Sequence, residues 1–203
     1  MFYLYGASGH AKVIIESLEE SEIHDITLID NDSSKETILS YKVIHQLPEI
    51  NHEIDQVIIS IGNNSIRKKI SHLFNERIFA TAIDINANIS KRTKIGVGTV
   101  IMKGVSINSD VQIGTHCILN TNASIDHDCK IDNFVHISPN VGLAGNVTVG
   151  EGTHIGIGAA VIQGINIGKW ATIGAGAVII KDVPDYAVVV GNPGKIIKYN
   201  KEL

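Results

Sequence analysis

The strongest constraint on the fold is a repeat of six residues that extends from residue 83 to residue 179. Every sixth residue in this range is a branched aliphatic, seventeen in succession from Ile83 to Ile179. A period of six fits neither a helix of 3.6 residues per turn nor a long strand of period two. Each hexapeptide is therefore predicted to supply one short strand and one turn, and a fixed repeat of this kind is typical of a solenoid.

Three hexapeptides are predicted to form one triangular coil of a parallel β-helix. Aliphatic residues eighteen positions apart should then stack at the spacing of parallel strands, about 4.8 Å. One such column is Ile89, Ile107, Ile125, Leu143, Val161 and Ile179. Glycine follows the aliphatic residue at Gly96, Gly114, Gly150, Gly156, Gly168 and Gly174. There we expect tight corners with unusual backbone angles, which glycine tolerates.

The composition changes near residue 82, and this indicates two domains, 1–82 and 83–203. Only three of the 19 glycines, Gly6, Gly9 and Gly62, precede the change. Residues 2–5, 26–29 and 56–61 are short apolar runs that predict strands, and residues 11–18 have apolar positions at helical spacing. The stretch up to Pro48 is polar and is predicted to be largely loop. This order predicts a small α/β Rossmann-like unit ahead of the β-helix.

A second helix is predicted to follow the strand 56–61, which the turn Gly62-Asn63-Asn64 closes. Asn64 is the expected N-cap. The expected buried stripe contains Ile66, Ile70, Leu73 and Phe74, with the basic residues 67–69 on the solvent side.

Residues at the ends of the predicted strands suggest a nucleotide site. Gly6 to His10 follow a strand and begin a helix, where backbone N–H groups suit phosphate or ribose contacts. Asp30 lies 24 residues beyond Gly6, close to the usual place of a ribose-binding carboxylate. Ser8 and Ala11 occupy positions that the dinucleotide motif reserves for glycine. The pattern therefore favours nucleotide binding but disfavours a nicotinamide enzyme.

One histidine has the surroundings expected of a general base. His127 lies two positions beyond Ile125, so it should point outward from the β-helix, and Asp128 is its neighbour. A carboxylate beside an imidazole raises its pKa and fixes its tautomer. The alternative is an ordinary exposed histidine flanked by acidic residues.

The other histidines suggest less. His136 and His154 are eighteen residues apart, so they should stack one coil apart, and a weak metal pair is an open alternative. His116 has no acidic neighbour in the sequence. Surface positions are expected for His24, His45, His52 and His72.

The cysteines and the charge narrow the functional classes. Cys117 and Cys129 occupy inward positions on different faces, so we expect buried, unpaired thiols and no covalent acyl-enzyme. Unpaired cysteines and the lack of a leader pattern favour the cytoplasm. No apolar run is long enough for a membrane span. The net charge of −4 gives no reason to expect nucleic-acid binding.

Four strings connect the chain with a known family. They are YGASGH at 5–10, IGNNSIRKKI at 61–70, LNTNASIDHDC at 119–129 and AGNV at 144–147. With them the whole chain resembles the hexapeptide-repeat acyltransferases of the sialic acid O-acetyltransferase and UDP-N-acetylbacillosamine N-acetyltransferase family, and most closely the bacillosamine branch. The resemblance implies a left-handed β-helix, a homotrimer, acetyl-CoA in the groove between adjacent β-helices, and a nucleotide-linked amino sugar at the N-terminal domain.

The resemblance also implies roles for individual residues. His127 matches the catalytic base, and Asp128 matches the orienting carboxylate, which is a glutamate in the related enzyme. The positions that match sugar-nucleotide contacts are Ser8, Gly9, His10, Asp30, Asn31 and Gly62. The positions that match acetyl-CoA contacts are His136, Ile157 and Ala175, where Ala175 replaces a glycine, and Gly145 matches a backbone donor near the thioester oxygen.

The expected function is therefore acetyl-CoA-dependent N-acetylation of a nucleotide-linked amino sugar for glycan synthesis. Direct transfer with a histidine base and no metal is the expected mechanism. Because no hexapeptide is missing between Ile83 and Ile179, no long loop is expected to hold the acceptor, and this task falls to residues 1–82. Two alternatives stay open: O-acetylation of a sialic acid-type sugar, and a non-catalytic trimeric scaffold that binds sugar nucleotides.

Overall fold

The computed structural model describes residues 1–51 and 53–201, with the backbone alone for Arg77. The surface position expected for His52 lies outside the described residues. The N-terminal elements are β1 Phe2–Tyr5, α1 Gly9–Glu20, β2 Ile26–Ile29, β3 Thr37–Ile38, β4 Tyr41–Ile44, β5 Gln56–Ile59, α2 Asn64–Ser71 and a 3₁₀ turn Glu76–Ile78. The sheet order is β3-β4-β2-β1-β5, parallel except for β3. The α/β unit is thus confirmed, but the predicted loop up to Pro48 contains β3 and β4.

The sheet brings three loops to one edge. β1 pairs with β2 on one side and with β5 on the other. The strand order therefore reverses at β1, and in open parallel sheets ligands bind outside the carboxyl ends of the strands at such a point. Those ends continue into Gly6–His10, Asp30 and Ile61–Gly62. We call this place the acceptor crevice, after the substrate that the sequence predicts for it.

Seventeen two-residue strands build the β-helix, and each predicted aliphatic residue is the second residue of its strand. The strands are β6 Ala82–Ile83, β7 Asn88–Ile89, β8 Lys94–Ile95, β9 Val100–Ile101, β10 Ser106–Ile107, β11 Gln112–Ile113, β12 Ile118–Leu119, β13 Ser124–Ile125, β14 Lys130–Ile131, β15 His136–Ile137, β16 Gly142–Leu143, β17 Thr148–Val149, β18 His154–Ile155, β19 Ala160–Val161, β20 Asn166–Ile167, β21 Thr172–Ile173 and β22 Val178–Ile179. The chain closes with β23 Ala187–Val190 and β24 Lys195–Tyr199.

These strands form three parallel faces. The first face contains every third strand from β6 and ends with the antiparallel β24; the second runs from β7 to β22, and the third from β8 to β20. The predicted column from Ile89 to Ile179 is the second face. From Ile101 onward every repeated aliphatic is buried. The parallel β-helix is therefore confirmed.

The corner glycines serve another purpose than the one predicted. Gly114 and Gly156 have ordinary backbone angles. A Cβ at Gly114 would lie 2.6 Å from the backbone nitrogen of Asn133, and one at Gly156 would lie 2.7 Å from that of Ala175. These glycines allow successive coils to approach. The left-handed angles fall two residues later, at every sixth residue from Gly98 to Gly176, where eight of the fourteen residues have side chains.

The two predicted domains share part of their core. β6 spans the boundary expected at residue 82 and pairs with β9. Leu4 and Ile14 of the N-terminal region belong to the same buried apolar cluster as Val100 and Ile118 of the first face. The Ser17 hydroxyl donates a 2.7 Å hydrogen bond to the buried Asp84 carboxylate. The first face is thus covered by the N-terminal region at its lower coils.

The second helix is oriented differently from the prediction. Asn63 is the N-cap and its side chain accepts from Ile66 N, whereas Asn64 is the first helical residue and is buried. The buried positions of α2 are polar: Asn64, Arg67 and Ser71. Ile66 and Leu73 are 46% and 57% exposed. Ile70 and Phe74 of the predicted stripe pack against the core, but Ile66 and Leu73 do not, because the surface that α2 contacts on the β-helix presents backbone carbonyls.

Candidate active site

The carboxylate of Asp30 holds the acceptor crevice in shape. Its Oδ2 accepts from Ala7 N at 2.8 Å and pairs with Lys35 Nζ at 2.9 Å, while Oδ1 accepts from Asp32 N at 3.0 Å. Partial burial works to raise the pKa of Asp30, but these hydrogen bonds outweigh it and lower the pKa. The first turn after β1 is thus tied to the end of β2 by a charged group.

The remaining predicted acceptor residues border the same crevice. Ser8 is the N-cap of α1 without a side-chain cap bond, and Ser8, Gly9 and Asn31 are exposed. His10 is partly buried, and its Nε2 is shielded from solvent without a hydrogen-bond partner among the described residues. Burial, assisted by the charge of Arg67, lowers the pKa of His10 to about 4.

Gly62 connects the crevice to the first face of the β-helix. Its carbonyl oxygen lies 3.3 Å from His136 Nδ1, and His136 Nε2 lies 3.3 Å from Asn120 Nδ2. The rings of His136 and His154 stack with centroids 4.7 Å apart. Burial and the neighbouring His154 lower the pKa of His136 to about 3. His136 therefore stays neutral.

The stacking predicted for His136 and His154 is present, but the nitrogens are engaged elsewhere. His136 uses both ring nitrogens for the contacts above, and His154 Nε2 lies 2.9 Å from Ser138 Oγ. Within the described part of the chain, no three His, Cys, Asp or Glu side chains are grouped as metal ligands.

His127 and Asp128 form an exposed pair on a different edge. His127 Nδ1 lies 2.8 Å from Asp128 Oδ2, and each side chain is 60% exposed. The hydrogen bond to Asp128, with the charge of Asp126 beside it, raises the pKa of His127. Asp126 Oδ1 accepts from His127 N at 2.8 Å and from Asn108 Nδ2 at 2.7 Å. Since the carboxylate of Asp128 only accepts, a neutral His127 carries its proton on Nδ1 and leaves Nε2 free.

Gly145 lies one coil above His127 and packs against its ring. A Cβ at Gly145 would lie 2.7 Å from both Cε1 and Nε2 of His127. The Gly145 carbonyl accepts from Gly164 N, and the Gly145 N–H donates to no described residue. The free nitrogen of the imidazole and an uncommitted backbone donor are thus close together.

One chain does not bring all the predicted site residues together. His136 lies on the first face, next to Gly62. Ile157 and Ala175 follow first-face strands, so both lie on the edge between the first and second faces, and both are exposed. His127 and Gly145 follow second-face strands and lie on the edge between the second and third faces. In a triangular prism that edge is opposite the first face.

Both cysteines are buried and unpaired, as expected. Burial raises the pKa of Cys117 to about 12 and also raises the pKa of Cys129. His24, His45 and His72 are exposed as predicted, whereas His116 is buried with its ring stacked on Phe134.

Sequence reasoning missed the contribution of α2 to this region. Arg67 is 1% exposed. Lys68 pairs with Glu151, and its ammonium lies 5.8 Å and 5.5 Å from the ring centroids of Phe134 and Trp170. A cavity of about 470 Å³ lies beside this helix, lined among others by Gly62, Asn63, His154, Trp170 and Asn200. The helical spacing of Asn64, Arg67 and Ser71 was the available signal.

Comparisons with known proteins find a matching family model and several similar structures. A family model described as the PglD N-terminal domain matches residues 2–74. A histidine-to-asparagine variant of perosamine N-acetyltransferase from Caulobacter crescentus, in complex with CoA and GDP-perosamine, is 34% identical and matches over 97% of this chain and 96% of its own, with a TM-score of 0.90. No curated protein matches the chain.

Two further structures are similar over the whole chain. The acetyltransferase domain of PglB from Neisseria gonorrhoeae FA1090, in complex with acetyl coenzyme A, is 35% identical, covers 97% of this chain and 98% of its own, and has a TM-score of 0.91. WeeI from Acinetobacter baumannii AYE is 27% identical over 97% and 99% of the two chains, with a TM-score of 0.89.

Fold and site define a β-helix acyltransferase with an N-terminal α/β region. The chain belongs to the PglD family of hexapeptide-repeat sugar N-acetyltransferases. The expected family, the fold class, the acetyltransferase activity and acetyl-CoA as co-substrate are thereby confirmed. No helix in residues 1–51 and 53–201 is long and apolar enough to cross a membrane.

Proposed function

We propose that this protein transfers the acetyl group of acetyl-CoA to the amine of a nucleotide-linked amino sugar, as a step in glycan synthesis. The observation that carries the proposal is the exposed His127–Asp128 pair with the uncommitted Gly145 N–H beside it. The complexes of the relatives with CoA and GDP-perosamine, and with acetyl coenzyme A, support the same assignment.

In the proposed reaction the amine nitrogen forms a bond to the thioester carbonyl carbon. His127 Nε2 takes the proton that the nitrogen loses, and Asp128 holds the imidazole by its Nδ1–H and stabilises the charged ring. The C–S bond then breaks, and the same proton can pass from His127 to the departing sulfur. The Gly145 N–H is the donor proposed for the thioester oxygen as negative charge develops on it. The buried thiols have no role, which agrees with direct transfer.

The acceptor is proposed to bind in the crevice at the ends of β1, β2 and β5. The exposed turn at Ser8 and Gly9 offers backbone N–H groups at the start of α1, which suit the diphosphate. Asp30 already bonds within the fold, so we propose that it shapes the crevice for Asn31 and the ribose. His10 and Gly62 are proposed to border the sugar. A UDP-linked bacillosamine-type sugar and a GDP-linked sugar are both compatible with this arrangement.

The prism geometry favours an active site that two copies of the chain share. An acceptor held at Gly62 lies against the first face, and His127 of the same chain lies on the opposite edge. The outer side of the second face from residue 142 to residue 180 carries Gly142, Ala144, Ala160, Ile162, Val178 and Ile180. This surface of small and apolar side chains suits packing against a second copy, whereas the third face at the same coils carries the polar Thr148 and Asn166. We therefore propose a homotrimer with acetyl-CoA between adjacent chains, contacting His136, Ile157 and Ala175.

The activity is tested by following CoA release with a thiol reagent. The acceptors offered are UDP-linked and GDP-linked 4-amino sugars, with sialic acid as the hydroxyl acceptor. We expect turnover with an amino sugar and none with sialic acid. Turnover with sialic acid alone would replace the proposal by O-acetylation, and nucleotide binding without any turnover would favour the scaffold. The unpaired cysteines favour a cytoplasmic setting for the reaction.

Shared sites are tested by combining two inactive chains. His127→Ala removes the base, and Gly9→Trp fills the crevice, since a Cβ at Gly9 meets nothing within 4 Å. Each variant alone is expected to be inactive. Co-expressed, they should form mixed assemblies in which one crevice faces an intact base, so that part of the activity returns. Mixed assemblies without activity would show that each chain acetylates its own acceptor.

A further inference from the structure

The guanidinium of Arg67 is surrounded by carbonyl oxygens and lacks an acidic partner among the described residues. Nε donates to His116 O at 2.8 Å; Nη1 donates to Ile61 O at 3.0 Å and to Gly62 O at 3.3 Å. Nη2 donates to Asn64 Oδ1 at 2.8 Å and to Phe134 O at 2.9 Å. Burial lowers the pKa of Arg67 to about 10, so the group is charged at neutral pH.

The acceptors of Arg67 come from three separate parts of the chain. Ile61 and Gly62 form the turn after β5, at the acceptor crevice. His116 and Phe134 occupy the same corner in two successive coils of the β-helix. One side chain therefore joins the crevice to two coils through main-chain atoms, whose positions depend on the fold alone. A lysine in its place has one nitrogen and could not satisfy all these carbonyls.

The Gly62 carbonyl transmits this constraint to His136. It accepts from Arg67 Nη1 and faces His136 Nδ1, both at 3.3 Å. A carbonyl only accepts, so His136 carries its proton on Nδ1, and the Asn120 amide can donate to the lone pair on Nε2. Arg67 and His136 thus both donate to the Gly62 carbonyl, and Asn120 donates to His136.

We propose that Arg67 is a positioning residue that fixes the Gly62 turn and, through it, the orientation and Nδ1–H tautomer of His136, so that the crevice is preformed for the acceptor. The inference rests on the proposed function for its kinetic consequence only. The neutral state of the surrounding imidazoles agrees with it, because the charge of Arg67 lowers the pKa values of His10, His116, His136 and His154, second to burial in most cases.

The kinetic test compares Arg67→Lys with Lys69→Met, a change at an exposed neighbour on the same helix. At a temperature where the variant is folded, Arg67→Lys should raise the KM for the acceptor at least tenfold. The KM for acetyl-CoA should rise by a smaller factor, because His136 is a proposed contact of that co-substrate. Lys69→Met should leave both values unchanged. Equal KM values for the acceptor in wild type and folded Arg67→Lys would overturn the inference, as would a KM increase for acetyl-CoA as large as the increase for the acceptor.

A second measurement uses the wild-type protein and needs no activity. Long-range ¹H–¹⁵N spectra, assigned with His136→Gln, report the tautomer of His136 directly. We expect the neutral Nδ1–H form from pH 6 to pH 8, and a mixture of tautomers in Arg67→Lys. A charged ring or the Nε2–H form in the wild type would overturn the inference. Lack of turnover with every amino sugar would instead reject the proposed function and leave this measurement valid.

Discussion

Histidine has opposite properties in two regions of the molecule. One is the β-helix edge that carries His127, and the other is the junction of α2 and the Gly62 turn with the first face, which carries His136. At the edge, the imidazole is exposed and bonded to Asp128, and its pKa is raised. At the junction, His10, His116 and His136 are enclosed around the charged Arg67, and their pKa values fall to about 4, 4 and 3. The first environment suits proton transfer near neutral pH. The second suits neutral hydrogen-bonding groups. The number of histidines in the sequence therefore does not indicate how many of them act as general bases.

The largest expected effect separates these two regions directly. His127→Ala should lower kcat by about 10² to 10⁴, the usual contribution of a general base. His136→Gln should act mainly on the KM values, because this ring does not accept the proton. His24→Ala, at an exposed histidine far from either region in the sequence, serves as the control. Steady-state kinetics with the preferred amino sugar measures all three. A normal kcat in His127→Ala would remove the distinction between the regions.

A smaller effect sharpens the role of the carboxylate. Asp128→Asn should lower kcat about tenfold, because a neutral amide replaces the carboxylate that orients the imidazole and stabilises its charged form. It should also move the acidic limb of the kcat/KM profile to lower pH. The sign follows from the raised pKa of His127 in the wild type: the base must be deprotonated, and without the carboxylate it loses its proton at lower pH. Rate profiles from pH 5 to pH 9 measure the shift. An acidic limb at the same pH in wild type and Asp128→Asn would show that a group other than His127 controls it.

The smallest expected effect concerns acid stability at the junction. The folded pKa values of His10, His116 and His136 lie below the ordinary 6.5. The unfolded chain therefore binds more protons below pH 6.5, and stability falls as the pH falls toward the folded values. His136→Gln should reduce the drop in Tm between pH 7 and pH 5. Thermal unfolding followed by circular dichroism measures it, and Asp30→Asn controls for carboxylate effects. Equal drops in wild type and His136→Gln would contradict the assigned pKa.

The β-helix could be predicted from sequence because its information is local and repeated. Each hexapeptide contains its own inward aliphatic residue, and the seventeen positions together fix which residues of the repeat point inward. The His127–Asp128 pair was accessible for the same reason, since the repeat fixes which residues point outward. The glycines after the aliphatic residues were misread because their constraint comes from the next coil, eighteen residues away.

The junction could not be predicted because its partners are distant in the chain. The bonds of Arg67 to His116 O and Phe134 O span 49 and 67 residues. Local pattern alone favours Ile66 and Leu73 as the buried side of α2. It cannot show that the opposing surface offers carbonyls, which a guanidinium satisfies and an isoleucine does not. Strands β3 and β4 were missed because they are short and bury little beyond Val43.

The stacking of Gly145 above His127 limits how the length of this protein can change. An insertion of six residues would keep the later aliphatic residues inward but would move every later strand to the next face. Only an insertion of eighteen residues keeps both the inward residues and the three faces. An insertion of eighteen residues between residues 127 and 145 would preserve the stacked aliphatic columns of the core. It would also move Gly145 away from the His127 imidazole by the thickness of one coil, about 4.8 Å. The same insertion placed beyond Ile179 would lengthen the prism and leave that contact intact. The β-helix can therefore lengthen by whole coils, and the contact between Gly145 and His127 decides at which positions a coil can be added.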